Sequence, residues 1–94
     1  MTKGKAKAGQ RRITFTIEAP GANQVSLMGD FNEWNEKIHP MRKYENDVWK
    51  KTVFLDLGRY EYKFLVDGQW HKDPNNDRLC PNRFGTFNNY LVVS

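Results

Sequence analysis

Residues 58–71 constrain the fold more than any other stretch of this 94-residue chain. Tyr60, Tyr62, Phe64 and Val66 alternate with Arg59, Glu61, Lys63 and Leu65, and Asp67-Gly68 follows directly. Strict alternation puts one set of side chains on each face of a β-strand. A two-residue Asp-Gly connection favours positive φ at both positions and folds the chain back as a tight hairpin. That turn pairs Val66 with Gln69 and Leu65 with Trp70. If Tyr62, Phe64 and Val66 face a core, Trp70 lies on the outer face. Lys63 is then its diagonal neighbour, roughly 7–8 Å away.

The same period runs through most of the chain. Ile13, Phe15 and Ile17 alternate with Arg12, Thr14, Thr16 and Glu18, and Pro20-Gly21 marks a turn. Val25 and Leu27 alternate with Gln24, Ser26 and Met28. Trp49, Val53 and Leu55 share the parity of a further strand, which assigns Trp49 to packing. On the last strand, Phe87, Leu91 and Val93 take the apolar parity, and Thr86 and Asn88 take the other. No window sustains a period of 3.6. The expected fold is an all-β antiparallel sandwich, with a small closed barrel as the alternative. The length allows one domain with one core.

Charge divides the chain in two. Lys3, Lys5, Lys7, Arg11 and Arg12 give the first twelve residues a charge of +5 with no acid, out of a net +4 for the whole chain. The rest carries 10 basic against 11 acidic side chains. Residues 1–10 are expected to form a disordered basic leader, because they hold too little apolar surface to offset ordering. The domain is expected over 11–94. No run approaches the roughly 20 apolar residues of a membrane helix. No secretory pattern follows the basic start. The lone cysteine, Cys80, has no internal disulfide partner. A soluble, cytoplasmic protein with no membrane partner is expected.

Catalytic chemistry finds little support. Cys80 precedes Pro81, and His39 and His71 are far apart, which suits neither a nucleophile–base pair nor a zinc site. Asp73-Pro74-Asn75-Asn76-Asp77 resembles half a calcium loop. Arg78 stands where that loop needs glycine, and Phe84 where it needs a bidentate glutamate. Turn chemistry accounts for the segment better. No cofactor, no metal and no enzymatic activity are expected. What remains is recognition. Trp34 sits in the polar loop Asp30-Phe31-Asn32-Glu33-Trp34-Asn35, and Trp70, Lys63, Thr86 and Asn88 take outer positions. Aromatic faces stack on the apolar faces of pyranose rings, while amides and ammonium groups bind their hydroxyls. Nucleic-acid bases stack on aromatics too. The near-neutral charge of the domain counts against a phosphate-tracking surface, so no specific nucleic acid is expected.

Three blocks carry a resemblance. Val25-Ser26-Leu27-Met28-Gly29-Asp30-Phe31-Asn32-Glu33-Trp34 resembles the V-x-L-x-G-x-F-N-x-W signature of family-48 carbohydrate-binding modules. These include glycogen-binding domains of the AMP-activated protein kinase β-subunit type and early-set domains of branching and debranching enzymes. Gly58 to Trp70 resembles their G-x-Y-x-Y-K-F-x-V-D-G-x-W hairpin. Asp73-Pro74 and Gly85-Thr86-Phe87-Asn88-Asn89 are similar to the downstream elements. The likeness covers about residues 12–94. It implies an early-set, immunoglobulin-like sandwich that binds α-1,4-linked glucans without catalysis. By the same likeness, Trp34 and Trp70 are the stacking platforms. Lys63 and Asn88 bind hydroxyls, and Thr86 contacts the sugar beside them. Phe84 falls where the kinase-type domain has an aliphatic residue reaching into the curve of the glucan. The alternative is a module of the same fold that docks a partner protein, such as a glycogen-metabolism enzyme or a kinase.

Overall fold

The computed structural model describes residues 8–94, and the expectation of a disordered leader falls mostly on residues outside that range. Eight strands follow in order: β1 (Gln10–Glu18), β2 (Val25–Gly29), β3 (Arg42–Lys43), β4 (Val48–Asp56), β5 (Gly58–Val66), β6 (Gln69–His71), β7 (Leu79–Pro81) and β8 (Phe87–Val93). β1 thus begins at Gln10, one residue inside the expected leader, opposite Asp56 of β4. Two short 3₁₀ turns, Asp30–Asn32 and Glu45–Asp47, are the remaining regular elements among the described residues.

The strands form two antiparallel sheets, so the chain is a sandwich rather than a closed barrel. One sheet has the order β1-β4-β3. The other runs β2-β5-β8-β7, with β6 also paired to β5. β5 is the organising strand. One of its edges carries β2. The other is shared, with β8 along Gly58 to Tyr62 and β6 along Phe64 to Val66. Lys63 falls at the seam between them.

The hairpin has the register its turn dictates, Val66 opposite Gln69 and Leu65 opposite Trp70. Both turn residues have positive φ, 47° at Asp67 and 81° at Gly68. The Asp67 carboxylate also accepts the backbone N–H groups of Asn23 and Gln24, which ties the turn to the start of β2.

Between the sheets, Phe64, Leu27 and Val25 are fully enclosed, packed with Phe15, Ile17, Trp49, Leu55, Tyr62 and Val93. Phe15 meets the Tyr62 ring edge-on at 4.9 Å. Alternation misplaces two apolar residues. Met28 takes the outer parity yet is buried, lying opposite Lys63. Phe87 takes the inner parity yet is exposed, as is Leu79 on the same face of β7. Parity tells which way a side chain points, but not whether anything lies over it. The smaller sheet does not reach the β7 end.

Asn89, two residues on from Phe87 on the inner face, is fully buried. Its Oδ1 accepts the N–H of Asp73 and its Nδ2 donates to the carbonyl of Asn76. The Tyr62 hydroxyl donates to Asp73 Oδ2 at 2.7 Å and accepts from Asn76 Nδ2. Burial pushes that phenol well above its ordinary range, with Asp73 adding to the shift. The segment that resembles half a calcium loop is thus a hydrogen-bonded turn closing one end of the core. The side-chain oxygens of Asp73 and Asn76 are taken up by the protein itself. Among the described residues, no cluster of three or more His, Cys, Asp or Glu side chains could hold a metal ion.

Candidate functional site

β2 ends at Gly29, and the chain turns sharply there. Asn32 drives the turn from a buried position. Its Oδ1 accepts the Gly29 N–H at 3.1 Å, and its Nδ2 donates to the Leu27 carbonyl at 2.8 Å. Glu33 and Trp34 then take left-handed backbone angles, φ 55° and 56°. That region is unfavourable for a side chain as large as Trp34. The conformation is held by the Trp34 N–H on the Gly29 carbonyl at 3.0 Å and by indole Nε1 on Asp30 Oδ1 at 3.1 Å. Asp30 Oδ2 accepts the backbone N–H of Glu61 at 2.8 Å, which fastens the loop to β5. The loop therefore delivers one indole to the outer face of the larger sheet.

Gly29 leaves no room for a substitute. Its backbone is extended, so the constraint is steric. A Cβ would lie 2.7 Å from the Phe31 ring and 2.8 Å from the Glu61 carbonyl oxygen. Gly29→Ala is expected to cost about 1–3 kcal/mol, as an overpacking change. A thermal melt checks this, and an unchanged melting temperature would rule out the steric account.

Trp34 meets Trp70 there. Their ring centroids are 6.1 Å apart and their planes 65° apart, an edge-to-face corner. Trp70 is 53% exposed and Trp34 half-buried. Lys63 Nζ lies 6.0 Å from the Trp70 ring centroid and donates to Thr86 Oγ1 at 3.3 Å. These groups line one open cleft of about 910 Å³ with Asp30, Glu33, Glu61, Asn82, Phe84 and Asn88 among the other lining residues. All six residues singled out from sequence, Trp34, Lys63, Trp70, Phe84, Thr86 and Asn88, line this cleft. Two differ from expectation in exposure. Lys63 and Asn88 were expected on an open surface, but each is only 8% exposed. Lys63 lies at the seam beneath the Trp70 ring, and Asn88 is hemmed in by its hydrogen-bond partners. Phe84 stands at the opposite extreme, 77% exposed at the tip of the β7–β8 turn.

That turn introduces a residue that sequence reasoning missed. Asn82 Oδ1 accepts the N–H groups of Phe84 at 2.9 Å and Thr86 at 3.2 Å. Its Nδ2 donates to Thr86 Oγ1 at 2.8 Å and to Asn88 Oδ1 at 2.9 Å. Gly85, at φ 80°, closes the turn with its N–H on the Asn82 carbonyl. A signal was present, since asparagine followed three residues later by glycine marks a turn of this kind. Pro81 and Cys80 gave no strand pattern, so the hairpin went unread.

Glu61 was also missed as a site residue. Its Oε1 accepts from Asn88 Nδ2 at 3.0 Å, and its Oε2 pairs with Arg59 at 3.2 Å. The Asn88 hydrogen bond holds the Glu61 carboxyl below its ordinary value of 4.5, against an opposing effect of partial burial. Because the folded-state value is lowered, the stabilisation is complete above the ordinary value and is lost only as pH falls through the lowered one. Asn88 side-chain amide signals are therefore expected to hold steady from neutral pH to below about pH 4.5. Movement of those signals at higher pH would contradict this. Burial lowers the Lys63 ammonium from its ordinary value, with Lys72 adding to the effect. Burial raises the Cys80 thiol from its ordinary value.

The cleft thus joins an aromatic corner to a strip of fixed amide, hydroxyl and ammonium groups. Residues 11–94 match the family described as the glycogen recognition site of AMP-activated protein kinase. The chain is 40% identical over 88 residues to mouse 5'-AMP-activated protein kinase subunit beta-2, covering 92% of this chain and 31% of that protein. It is 40% identical over 91 residues to the pig subunit beta-1, covering 95% and 69%. It is also 40% identical over 83 residues to Protein PTST homolog 2, chloroplastic, of Arabidopsis thaliana, covering 88% and 15%. The chain therefore spans about a third of the beta-2 relatives it matches. The chloroplastic relative shows that such domains are not confined to the compartment expected from sequence. The family is one of carbohydrate recognition and not of catalysis, and this chain belongs to it.

Proposed function

We propose that the cleft binds α-1,4-linked glucans such as glycogen, starch and maltooligosaccharides, without chemical change to them. Trp34 and Trp70 stack on successive glucose rings. Lys63, Asn88 and Thr86 hydrogen-bond their hydroxyls, and Phe84 projects against the chain from the rim. The observation that carries this reading is the Trp34–Trp70 corner. Two planes 65° apart suit a chain that curves from one residue to the next, as α-1,4 linkage makes it do. A flat β-1,4 chain calls for near-coplanar rings. The lining sets three carboxylates, Asp30, Glu33 and Glu61, against two cations, Lys63 and Arg83, and this near balance supports a neutral polymer over a polyanion.

The test is retention of the protein on glycogen, starch and cellulose side by side. Binding to the first two and not the third is expected. Failure to bind any α-glucan would refute the proposal. A second reading, docking onto a partner protein, draws on the printed description of the beta relatives as subunits of a kinase. Tryptophan fluorescence separates the two readings. A glucan seated on Trp34 and Trp70 shifts or quenches it, whereas a docking module leaves it unchanged in any maltooligosaccharide.

A further inference from the structure

The side-chain amide of Asn88 presents opposite chemistry on its two sides, and rotation by half a turn exchanges them. Glu61, as a carboxylate, can only accept. It lies 3.0 Å from Asn88 Nδ2. Asn82 approaches the other side with its own nitrogen, 2.9 Å from Asn88 Oδ1. Rotating Asn88 would set oxygen against carboxylate and NH₂ against NH₂, replacing two hydrogen bonds with two repulsive contacts. Neither neighbour is free to accommodate this. Asn82 Oδ1 is committed to the backbone N–H groups of its turn, so its nitrogen must face Asn88 and Thr86. Glu61 is held by Arg59 at 3.2 Å.

We propose that Asn82 and Glu61 are positioning residues that lock the Asn88 amide in one of its two rotations. They thereby fix where a bound glucan meets a donor and where it meets an acceptor. This rests on the reading of the cleft as a glucan site. With one Nδ2 hydrogen given to Glu61 and one Oδ1 lone pair given to Asn82, Asn88 keeps one donor and one acceptor. Both are pre-aimed. Lys63 Nζ, tied to Thr86, is held in place in the same way. A ligand then does not have to order these groups on binding, and preorganisation of this kind raises affinity without any new contact. The lock also selects. Neighbouring hydroxyls that offer an acceptor and a donor in the right order are satisfied, and the reverse order leaves both unpaired.

The experiment titrates the full chain with maltoheptaose by calorimetry, as wild type, Asn82→Asp and Glu61→Gln. Asn82→Asp keeps an acceptor for the turn N–H groups but loses both donors. The turn stays folded while Asn88 is released. The variant's melting temperature is expected to stay within about 8 °C of wild type, while affinity falls at least about fivefold. Glu61→Gln supplies a group that accepts or donates, so it no longer excludes the rotated Asn88 and the lock rests on Asn82 alone. A loss of about twofold to fivefold is expected. The side-chain NH₂ resonances of Asn88 report the lock directly. They should shift or broaden in both variants while backbone resonances of β5 hold. Either of two results overturns the proposal: Asn82→Asp binding within about twofold of wild type, or Asn88 resonances unmoved in both variants. If Asn82→Asp fails to fold, Glu61→Gln decides alone by the same two readouts. If the wild type binds no maltoheptaose, the glucan reading fails, and the Asn88 resonances still decide whether the lock exists.

Discussion

With Trp70 replaced by alanine, the protein is expected to fold as before and to lose measurable binding to glycogen and maltooligosaccharides. β6 is a three-residue strand whose side chains are all exposed, and the Trp70 indole is 53% exposed. Its ring meets Trp34 and the Lys63 ammonium at the surface rather than the core, so little stability rests on it. A sugar ring stacked on one indole face removes apolar area from water, an effect of about 1–3 kcal/mol per ring. That is roughly tenfold or more in affinity for each tryptophan. Open clefts of this kind begin with modest affinity, so losing one platform takes binding below detection. Trp34→Ala should behave alike in binding. It also gives up the hydrogen bond to Asp30, a cost of about 1 kcal/mol in stability. Gel retardation in glycogen and circular-dichroism melts separate the two effects. A Trp70→Ala protein that unfolds, or that binds like wild type, would refute both the hairpin register and the site.

How much of this could be read from sequence depended on the distance over which each contact acts. The Gly58–Trp70 hairpin was legible because alternation and turn type are local. Once Asp67-Gly68 takes two positive φ angles, the pairing of Leu65 with Trp70 follows. That Trp34 touches Trp70 was not legible from parity. It depends on Asn32 and Asp30 bending a loop back over β5; the polar loop marked Trp34 as an outer residue, and the motif resemblance set it beside Trp70 as a second platform. The family likeness also named Lys63, Thr86 and Asn88. It did not name the residues that hold them. Glu61 reads as an outward position on a strand, and its partner Asn88 lies 27 residues away. Asn82 belongs to a hairpin whose first strand contains a proline and a cysteine and shows no alternation. Phe87 was misassigned for a different reason. Its direction was right, but the smaller sheet does not cover it. Sequence periodicity sets the face of a residue, whereas the relative widths of the two sheets set its burial.

Trp49→Ala should have the reverse effect of Trp70→Ala, with stability lost rather than binding. Trp49 is 6% exposed in β4, opposite Ile17 of β1, and packs within the cluster that includes Phe64 and Leu27. Truncating a buried indole costs about 3–5 kcal/mol, as transfer energy plus the cavity left behind. In a domain of this size, 1 kcal/mol moves the melting temperature by about 4–8 °C, so a fall of more than about 10 °C is expected. Trp49 adds a further test, because its Nε1–H is buried without a hydrogen-bond partner among the described residues. A buried donor left unpaired costs about 1–3 kcal/mol. Trp49→Phe removes that donor and keeps most of the ring volume, so its loss should be far smaller than that of Trp49→Ala. Both proteins, measured below their melting temperatures, should bind glucan with wild-type affinity, since the core lies on the opposite face of the larger sheet from the cleft. A Trp49→Phe protein as unstable as Trp49→Ala would show that the indole nitrogen is paired after all. Loss of glucan affinity in the folded Trp49 variants would show that the core and the cleft are coupled through β5.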